Sequence, residues 1–332
     1  MNKAFRALLY IILLLFIIIM IANWRYNFFT IKGDGWSIGM NTLTNVFEEE
    51  PVKNSIILDK EWFNRQTAGS TQFLADPFIF IEDSTHYIFF EHQAEGNANI
   101  GLLTSRNGED FQFEGDILDE DFHLSFPQVF KWDGDYYMLP ESKQSGNVLL
   151  YKADSFPRKW SVSDTLIKDV TFKDPAILIS DSIKLISVSD ENLKQTIYSS
   201  KSLTGPWVKS DNFKERYGDE TRAGGNFFQV GDEWFLPLQR NNRGYGSGIS
   251  LYKLKYTNKE IKFEKYAESY LDKIDTLKWF NRGMHHLSVL PYKGRFKIVF
   301  DGDIKSPEKE RIANWKASLK YNFYDLRRIF IE

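Results

Sequence analysis

The chain has 332 residues, of which 42 are Lys or Arg and 45 are Asp or Glu, giving a net charge of −3. Near-neutral charge and the lack of a basic run exclude a nucleic-acid partner, because such partners are held mainly by clustered cations. There is no cysteine, so disulfides and thiolate metal sites are excluded as well. The length permits one or two globular domains.

The amino terminus has the pattern of a membrane-spanning helix. No charged residue occurs from Ala7 to Trp24, and a stretch of about 18 uncharged residues is long enough to span a bilayer. Lys3 and Arg6 precede it, and an aromatic residue marks its far end. A cleaved signal peptide is the alternative, although no A-x-A-like site follows. We therefore expect residues 1–26 to be an uncleaved single-pass anchor, with the rest of the chain outside the cytoplasm.

Residues 27–54 are expected to form a tether and a first strand. Two apolar segments, 36–40 and 55–58, are typical of short strands. The tether itself does not show which strand these two segments pair with. The repeats further along the chain indicate it.

The next segment has the pattern of a β-hairpin that carries a carboxylate on each strand. An apolar strand opens at Asp76, turns at Glu82-Asp83-Ser84, and is followed by an aromatic strand that ends at Glu91. This pattern recurs four more times. The five start positions are 76, 126, 174, 224 and 286, and the partner positions 91, 141, 189, 239 and 301 each lie 15 residues later.

The start positions are separated by 50, 48, 50 and 62 residues. A repeat of this length built from short strands is typical of a β-propeller with about four strands per blade. A meander or sandwich is the alternative, but its intervals should drift. We therefore predict an all-β fold, a five-bladed propeller over residues 55–303. One of the two early strands would complete the last blade, because an open ring exposes a sheet edge.

The remaining residues, 304–332, are predicted to be a short, partly helical tail. It is helix-prone from about Pro307 and becomes basic and aromatic toward Arg327 and Arg328. The sequence does not decide whether this tail packs on the propeller or lies near the membrane.

The repeat predicts that polar side chains meet in a central ring. In a propeller the first strand of every blade lies beside the channel, so the five start positions converge and their partners lie one strand further out. These positions supply four carboxylates in addition to Asp76, together with an amide and an imidazole. Burying so many charges without a partner is costly. The ring is therefore better explained as a functional site than as a core.

The residues at these positions resemble those of known propellers. The resemblance rests on Ala75-Asp76-Pro77-Phe78, Phe89-Phe90-Glu91, Ser125-Phe126-Pro127, residues 136–141, Asp174-Pro175 and His285-His286-Leu287-Ser288. Over about residues 55–303 the chain resembles the amino-terminal propeller domain of glucosamine inositolphosphorylceramide transferase, which also occurs in bacterial proteins. It resembles more distantly the five-bladed propellers of family 43 glycoside hydrolases.

The hydrolase resemblance implies roles for three residues. Asp76 is similar in context to the general base that acts on water, and Asp174 to the Asp that tunes and orients the acid. His286 matches a His that approaches a central ion, often calcium. We therefore expect no required cofactor, with a central calcium ion as the one candidate and His286 as its ligand.

One part of the hydrolase pattern is missing. The general acid of those enzymes is a Glu at the start of the fourth blade, whereas here the stretch reads Thr221-Arg222-Ala223-Gly224-Gly225. Glycoside hydrolysis by inversion requires one protonated and one ionised carboxyl group, and the protonated one needs a raised pKa. Glu141 and Glu91 are the best-placed substitutes.

These arguments give the candidate site residues. Asp76 is expected to be the base or a ligand, Glu141 the acid and Asp174 their tuner. Arg222 would favour an anionic group such as a phosphate or uronate, because its guanidinium is a bidentate donor. The expected substrate-binding residues are Glu91, His123, Arg222, Gln239, Tyr245, His285 and Asp301. Each has a structural alternative, such as a strand start for Asp76 or an inter-blade hydrogen bond for Glu91.

The resulting functional hypothesis is a membrane-anchored, carbohydrate-active protein that hydrolyses or transfers a glycosyl group on a cell-surface glycan or glycolipid. The alternative is a non-catalytic glycan-binding propeller, or an accessory subunit of a polysaccharide or glycolipid glycosyltransferase system. In the plant proteins that the chain resembles, the propeller is fused to a glycosyltransferase domain. Since no such domain follows the last blade here, the chain is not expected to be the transferase itself, and a separate glycosyltransferase is a candidate partner.

Overall fold

The computed structural model describes residues 3–67, 69, 71–257 and 260–331. Five antiparallel sheets form the five blades of a propeller, which confirms the predicted fold. Blade 1 consists of Phe73–Glu82, Thr85–Gln93, Asn99–Ser105 and Gln112–Leu118. Blade 2 consists of Ser125–Trp132, Asp135–Glu141, Val148–Ser155 and Lys159–Ile167.

Blades 3 and 4 follow in chain order, and blade 5 combines both ends of the propeller sequence. Blade 3 consists of Lys173–Ile179, Lys184–Ser189, Lys194–Ser199 and Val208–Lys209, with Arg216–Tyr217 as a short extra strand. Blade 4 consists of Phe228–Val230, Glu233–Arg240, Gly248–Tyr256 and Ile261–Asp272. Blade 5 consists of Leu287–Tyr292, Arg295–Lys305, Gly33–Leu43 and Ile56–Leu58.

Five apolar clusters lie between neighbouring blades. Phe89 and Leu102 of blade 1, for example, share a cluster with Met138 and Tyr151 of blade 2. Equivalent clusters join blades 2 and 3, 3 and 4, 4 and 5, and 5 and 1. The alternating apolar residues of each strand therefore pack against the next blade, which closes the ring and positions its channel.

Both early strands complete blade 5, where the repeat predicted only one. Gly33–Leu43 pairs along Arg295–Lys305, and Ile56–Leu58 pairs with the outer side of Gly33–Leu43. This pairing covers the edge that an open ring would expose. Gly39 allows the close approach, because a Cβ atom there would lie 2.3 Å from the Phe300 ring.

The first strands of blades 1 to 3 share a backbone irregularity at the predicted start positions. Asp76, Phe126 and Asp174 have positive φ angles of 48°, 51° and 42°, and the strand register shifts at each of them. Left-handed conformations are uncommon for residues other than glycine. Bulges re-aim side chains, and such strained positions concentrate at functional sites.

In the part of the chain that the structure describes, three α-helices accompany the propeller: α1 (Lys3–Arg25), α2 (Lys60–Gln66) and α3 (Trp315–Ile331). Within the described residues, α1 alone is long and apolar enough to cross a membrane, and a signal sequence would have the same features. Two 3₁₀ turns occur at Lys143–Ser145 and Lys278–Phe280. A two-stranded ribbon, Phe29–Ile31 with Arg311–Ala313, lies between the helices and the blades.

The predicted partly helical tail is confirmed, but its helix begins at Trp315 rather than near Pro307. The preceding residues cannot join the helix because Arg311–Ala313 pairs with Phe29–Ile31. The helix α3 packs against the end of α1: the Asn322 side-chain amide donates to the Ala22 carbonyl at 3.1 Å. The two ends of the chain therefore meet beside the propeller.

Candidate functional site

The structure brings the predicted carboxylates together at the channel. Their side chains are almost inaccessible to solvent, with exposed fractions of 3% for Asp76, 0% for Asp174 and Asp301, 9% for Glu91 and 10% for Glu141. Each is positioned by the start or partner strand of its blade, as the repeat predicted. What distinguishes them is the charge that each one contacts.

Asp174 is neutralised by Arg222. The guanidinium Nε and Nη2 of Arg222 both contact the Asp174 carboxylate, the second at 3.0 Å. The Gln239 side-chain amide also donates to Asp174 Oδ2, at 2.8 Å. Burial alone would raise the pKa of Asp174, but Arg222 outweighs it and holds the pKa below its usual range. The pair links blade 3 to the loop before blade 4.

Glu141 lies next to this pair, and the nearest cation to it in the described part of the chain is the same Arg222. Its Oε2 accepts the backbone N–H of Asp174 at 3.0 Å, and Arg222 Nη2 is 3.7 Å away. Burial and the charge of Asp174 raise the pKa of Glu141 well above its usual range. A raised pKa is what the predicted acid would require.

Asp301 is neutralised by His285. The two side chains approach to 2.7 Å between His285 Nδ1 and Asp301 Oδ2. Asp301 also accepts the backbone N–H groups of Asp76, His285 and His286 at 2.9–3.1 Å. Burial would lower the pKa of His285, but the carboxylates of Asp301 and Asp76 raise it to about 9. Asp301 therefore organises blade 5 and the first strand of blade 1.

Glu91 is paired with His123, which projects from the loop before blade 2. Glu91 Oε1 and His123 Nε2 are 3.2 Å apart. Burial raises the pKa of Glu91 to about 6, against the opposing effect of His123. The contact with Glu91 in turn raises the pKa of His123. The His123 side chain is 31% exposed, so this pair lies at the accessible rim of the site.

Asp76 differs from the other carboxylates because its Oδ1 is buried and makes no hydrogen bond among the described residues. His286 Nδ1 and His285 Nε2 lie 3.4 Å and 3.5 Å from it. Both ring nitrogens of His286 also lack a hydrogen bond within the described part of the chain. Unpartnered buried polar groups of this kind are expected where a site accepts a ligand.

Asp76, His285 and Asp301 could hold a metal ion, since one donor atom of each lies within 4.8 Å of the others. Two carboxylates and an imidazole supply only part of the six to eight oxygens that calcium takes, so water would have to complete its shell. The Asp301–His285 contact has the form of the carboxylate–histidine pairs that orient metal-binding imidazoles. The role of His286 as a ligand remains a prediction, and this cluster contains His285 instead.

A cleft of about 190 Å³ reaches this ring from the side of blades 3 and 4. Its lining includes Ser189 of the ring together with Arg222 and Tyr245, whereas Asp76, Glu141 and Asp174 do not line it. The Tyr245 ring is 45% exposed and stands against His285 and Trp36, with centroid distances of 5.2 Å and 6.2 Å. Arg222 lies over the same ring at 5.6 Å. Tyr245 and Arg222 are thus the accessible surface above the buried carboxylates.

Two groups at the cleft have no counterpart in the repeat. Asp219 lines the cleft and accepts the backbone N–H of Asn241 at 3.0 Å. Burial and the neighbouring Glu220 raise its pKa to about 7. Ala317, Lys320 and Tyr321 of α3 form the opposite wall. Asp219 lies in a loop outside the 15-residue phase and α3 lies beyond the last blade, so the repeat gave no signal for either.

Comparison with known proteins places the chain among glycan-related propellers. Residues 36–303 match the family described as glucosamine inositolphosphorylceramide transferase 1, N-terminal. Glucosamine inositolphosphorylceramide transferase 1 of Arabidopsis thaliana is 30% identical over 279 residues, covering 78% of this chain and 36% of the relative. The protein of the same name from Oryza sativa subsp. japonica is 29% identical over 249 residues, covering 70% and 33%. The chain therefore spans about a third of the length of these curated relatives.

Solved structures support the fold. A thermostable family-43 glycoside hydrolase superposes with a TM-score of 0.50 at 16% identity, covering 72% of this chain and 92% of the hydrolase. This similarity bears on architecture alone, since the identity is low. The match over most of the blades, together with the curated relatives, establishes that the chain belongs to the family of the glucosamine inositolphosphorylceramide transferase 1 N-terminal domain.

Proposed function

We propose that this chain is a membrane-anchored, carbohydrate-active protein that hydrolyses or transfers a glycosyl group on a cell-surface glycan or glycolipid. One observation carries the proposal. Among the described residues, Asp174, Asp301 and Glu91 each have a basic side chain within 3.2 Å, whereas the nearest basic nitrogen is 3.4 Å from Asp76 and 3.7 Å from Glu141. These two are the groups left for proton transfer.

Their environments suit opposite roles. Asp76, with its unpartnered Oδ1, accepts a proton from water, or from an acceptor hydroxyl in transfer, as the new bond forms at the anomeric carbon. Glu141, whose pKa is raised, donates its proton to the leaving oxygen as the glycosidic C–O bond breaks. Asp174 sustains this state of Glu141 through its charge, while Arg222 holds Asp174 ionised.

Substrate enters from the cleft. Tyr245 offers an exposed aromatic face for a sugar ring, and His123 and Arg222 offer donors at the rim. The Arg222 side chain is 22% exposed, which leaves part of the guanidinium accessible to a phosphate or uronate. Four buried residues hold the side chains of Tyr245, His123 and Arg222 in place: Gln239, Glu91, His285 and Asp301. The names of the plant relatives, which are transferases of an inositolphosphorylceramide, favour a glycolipid.

The helix α1 serves as a retained anchor in this proposal. Its last turn and the residue after it contact α3: Arg25 Nη2 and the Tyr26 hydroxyl each lie 2.6 Å from Asp325 Oδ2. Cleavage of a signal peptide near this point would remove these contacts. The positive residues Lys3 and Arg6 in the first turn of the helix favour a propeller outside the cytoplasm.

A glycan-binding or accessory role to a glycosyltransferase is the second candidate. The observation that favours it is the sequence at the start of blade 4. The stretch 221–225 contains no carboxylate that could serve as the general acid, and its Arg222 neutralises Asp174. In this version the channel holds sugar without reacting, and a separate glycosyltransferase performs the transfer.

Turnover by the full chain in lipid nanodiscs separates the two candidates. The substrates are a panel of envelope glycans and aryl glycosides, and the variants are Asp76→Asn and Glu141→Gln. Loss of either proton-transfer group should lower turnover about 10²–10⁴-fold. Asp116→Asn and Glu82→Gln, which lie outside the channel, are matched controls and should leave turnover unchanged. Sugar binding without turnover, surviving both channel substitutions, would establish a binding module instead.

A further inference from the structure

The outer face of α3 is an apolar stripe. Five large apolar side chains occur at intervals of three or four residues, which places them on one side of the helix. Their exposed fractions range from 47% to 70%: Trp315, Leu319, Phe323, Leu326 and Ile329. An amphipathic helix on a water-soluble surface normally presents its polar face outward. Here the apolar face points away from the protein.

The inner face of α3 is polar and firmly held. The Ser318 hydroxyl, fully buried, donates to the Tyr26 carbonyl at 2.6 Å. Asp325 Oδ1 accepts the backbone N–H of Asp219 at 3.0 Å, and Tyr321 stacks on Tyr26 with ring centroids 5.2 Å apart. These contacts fix the orientation of the helix. The apolar stripe therefore cannot turn inward without breaking them.

The place of α3 relative to α1 identifies what covers the stripe. The helix α1 exposes apolar side chains along its length, and Trp24 near its end is 82% exposed. Contacts with Ala22, Arg25 and Tyr26 hold α3 beside the turn at which α1 would leave a bilayer. The apolar stripe is thus held next to the end of the apolar surface of α1.

The charge of α3 agrees with this location. It carries four cationic residues and one acidic residue: Lys316, Lys320, Arg327, Arg328 and Asp325. Asp325 is already paired with Arg25. Helices that lie in the bilayer interface combine an apolar face with Lys and Arg, and anionic lipids strengthen their binding.

We propose that α3 lies in the interface of the membrane that α1 crosses, as a second attachment that holds the propeller in one orientation. The proposal rests on the proposed function only in taking α1 as the anchor. Ala317, Lys320 and Tyr321 line the cleft that leads to Arg222. An interfacial α3 consequently places the mouth of the cleft at the bilayer surface.

The absence of cysteine makes a direct test simple. A nitroxide is attached to single-cysteine variants of the full chain in vesicles of phosphatidylcholine and phosphatidylglycerol, and its accessibility to oxygen and to a water-soluble nickel chelate is measured. Phe323→Cys and Leu326→Cys probe the stripe. Val162→Cys, 49% exposed on blade 2, is the water-exposed control, and Leu13→Cys reports on α1.

Labels at 323 and 326 should lie about 5–10 Å below the headgroups, with an oxygen-to-nickel accessibility ratio several-fold above that at 162. Nickel accessibility equal to that at 162 would overturn the proposal. So would protection from both reagents that depends on the protein-to-lipid ratio, which would mean that a second copy covers the stripe. A deep Leu13 label with exposed 323 and 326 labels would refute the position of α3 alone, whereas an exposed Leu13 label would refute the anchor as well.

Discussion

Replacing Arg222 with Met removes the cation that neutralises Asp174 while keeping a long side chain. The Asp174 side chain has no exposed surface, and after the substitution its carboxylate keeps only the Gln239 amide among the partners described above. Breaking a buried ion pair by removing one partner costs about 3–5 kcal/mol. Since Arg222 itself is 22% exposed, water relieves part of the cost, and we expect a loss of about 3 kcal/mol in the free energy of unfolding at pH 7.

The loss should depend on pH. In the wild type the pKa of Asp174 is held low. The stability that its carboxylate contributes to the folded protein is therefore present above the pKa of this group in the unfolded chain, and it is lost only as the pH falls toward the pKa in the folded protein. Without Arg222, burial raises the folded pKa above the unfolded one, and stability declines as the pH rises through it. The deficit of Arg222→Met should therefore be larger at pH 8 than at pH 5.

Urea unfolding of the detergent-solubilised full chain, followed by tryptophan fluorescence, measures this difference as a change of midpoint at constant slope. Arg243→Met is the matched control, because the Arg243–Asp272 pair is exposed at 39% and 30% and should contribute less than about 1 kcal/mol. Adding Asp174→Asn to Arg222→Met should restore part of the loss. Equal costs for the two arginines, or a deficit independent of pH, would refute the reasoning.

Three further predictions use the same unfolding assay. Because the pKa of Asp219 is raised to about 7, its contribution to stability is lost as the pH rises through that value, so the stability of Asp219→Asn relative to the wild type should increase from pH 5 to pH 8; a constant difference would contradict this. Asp301→Asn disturbs an acceptor of three backbone N–H groups and should lower the free energy of unfolding by about 3 kcal/mol or more. Asp275→Asn is its control and should change the stability little, because the Asp275 side chain is 60% exposed. Gly39→Ala places a methyl group 2.3 Å from Phe300 and should lower the free energy of unfolding by about 1–3 kcal/mol. Gly69→Ala, whose added methyl group meets no described atom within 4 Å, is the control that should remain near wild type.

The fold was predictable because its information is local and repeated. Each blade carries its own hairpin pattern, and five copies in a constant 15-residue phase leave little room for another architecture. The closure of blade 5 followed from the same argument, since a ring needs a covered edge. The second closing strand, Ile56–Leu58, was less evident because its three residues pair with Gly33–Leu43 rather than with a strand of the repeat.

The location of the channel carboxylates was predictable from the repeat, but their pairing was not. Position in the repeat placed Asp76, Glu141 and Asp174 at the channel. It could not indicate that Arg222 would engage Asp174, because the two residues are 48 positions apart and meet only when blades 3 and 4 pack. Their roles remain predictions. The orientation of α3 likewise depends on contacts between the two ends of the chain, which no local pattern contains.

The most direct measurement of the central claim is equilibrium binding of envelope oligosaccharides to the full chain in nanodiscs. The comparison is between Tyr245→Ala at the channel and Tyr256→Ala, a 39% exposed tyrosine at the end of the third strand of blade 4 that lies outside the cleft. If the channel is a sugar site, binding should fall at least about tenfold in Tyr245→Ala, which corresponds to about 1.4 kcal/mol, and remain unchanged in Tyr256→Ala. Binding that is insensitive to Tyr245, or no binding of any sugar, would contradict the claim.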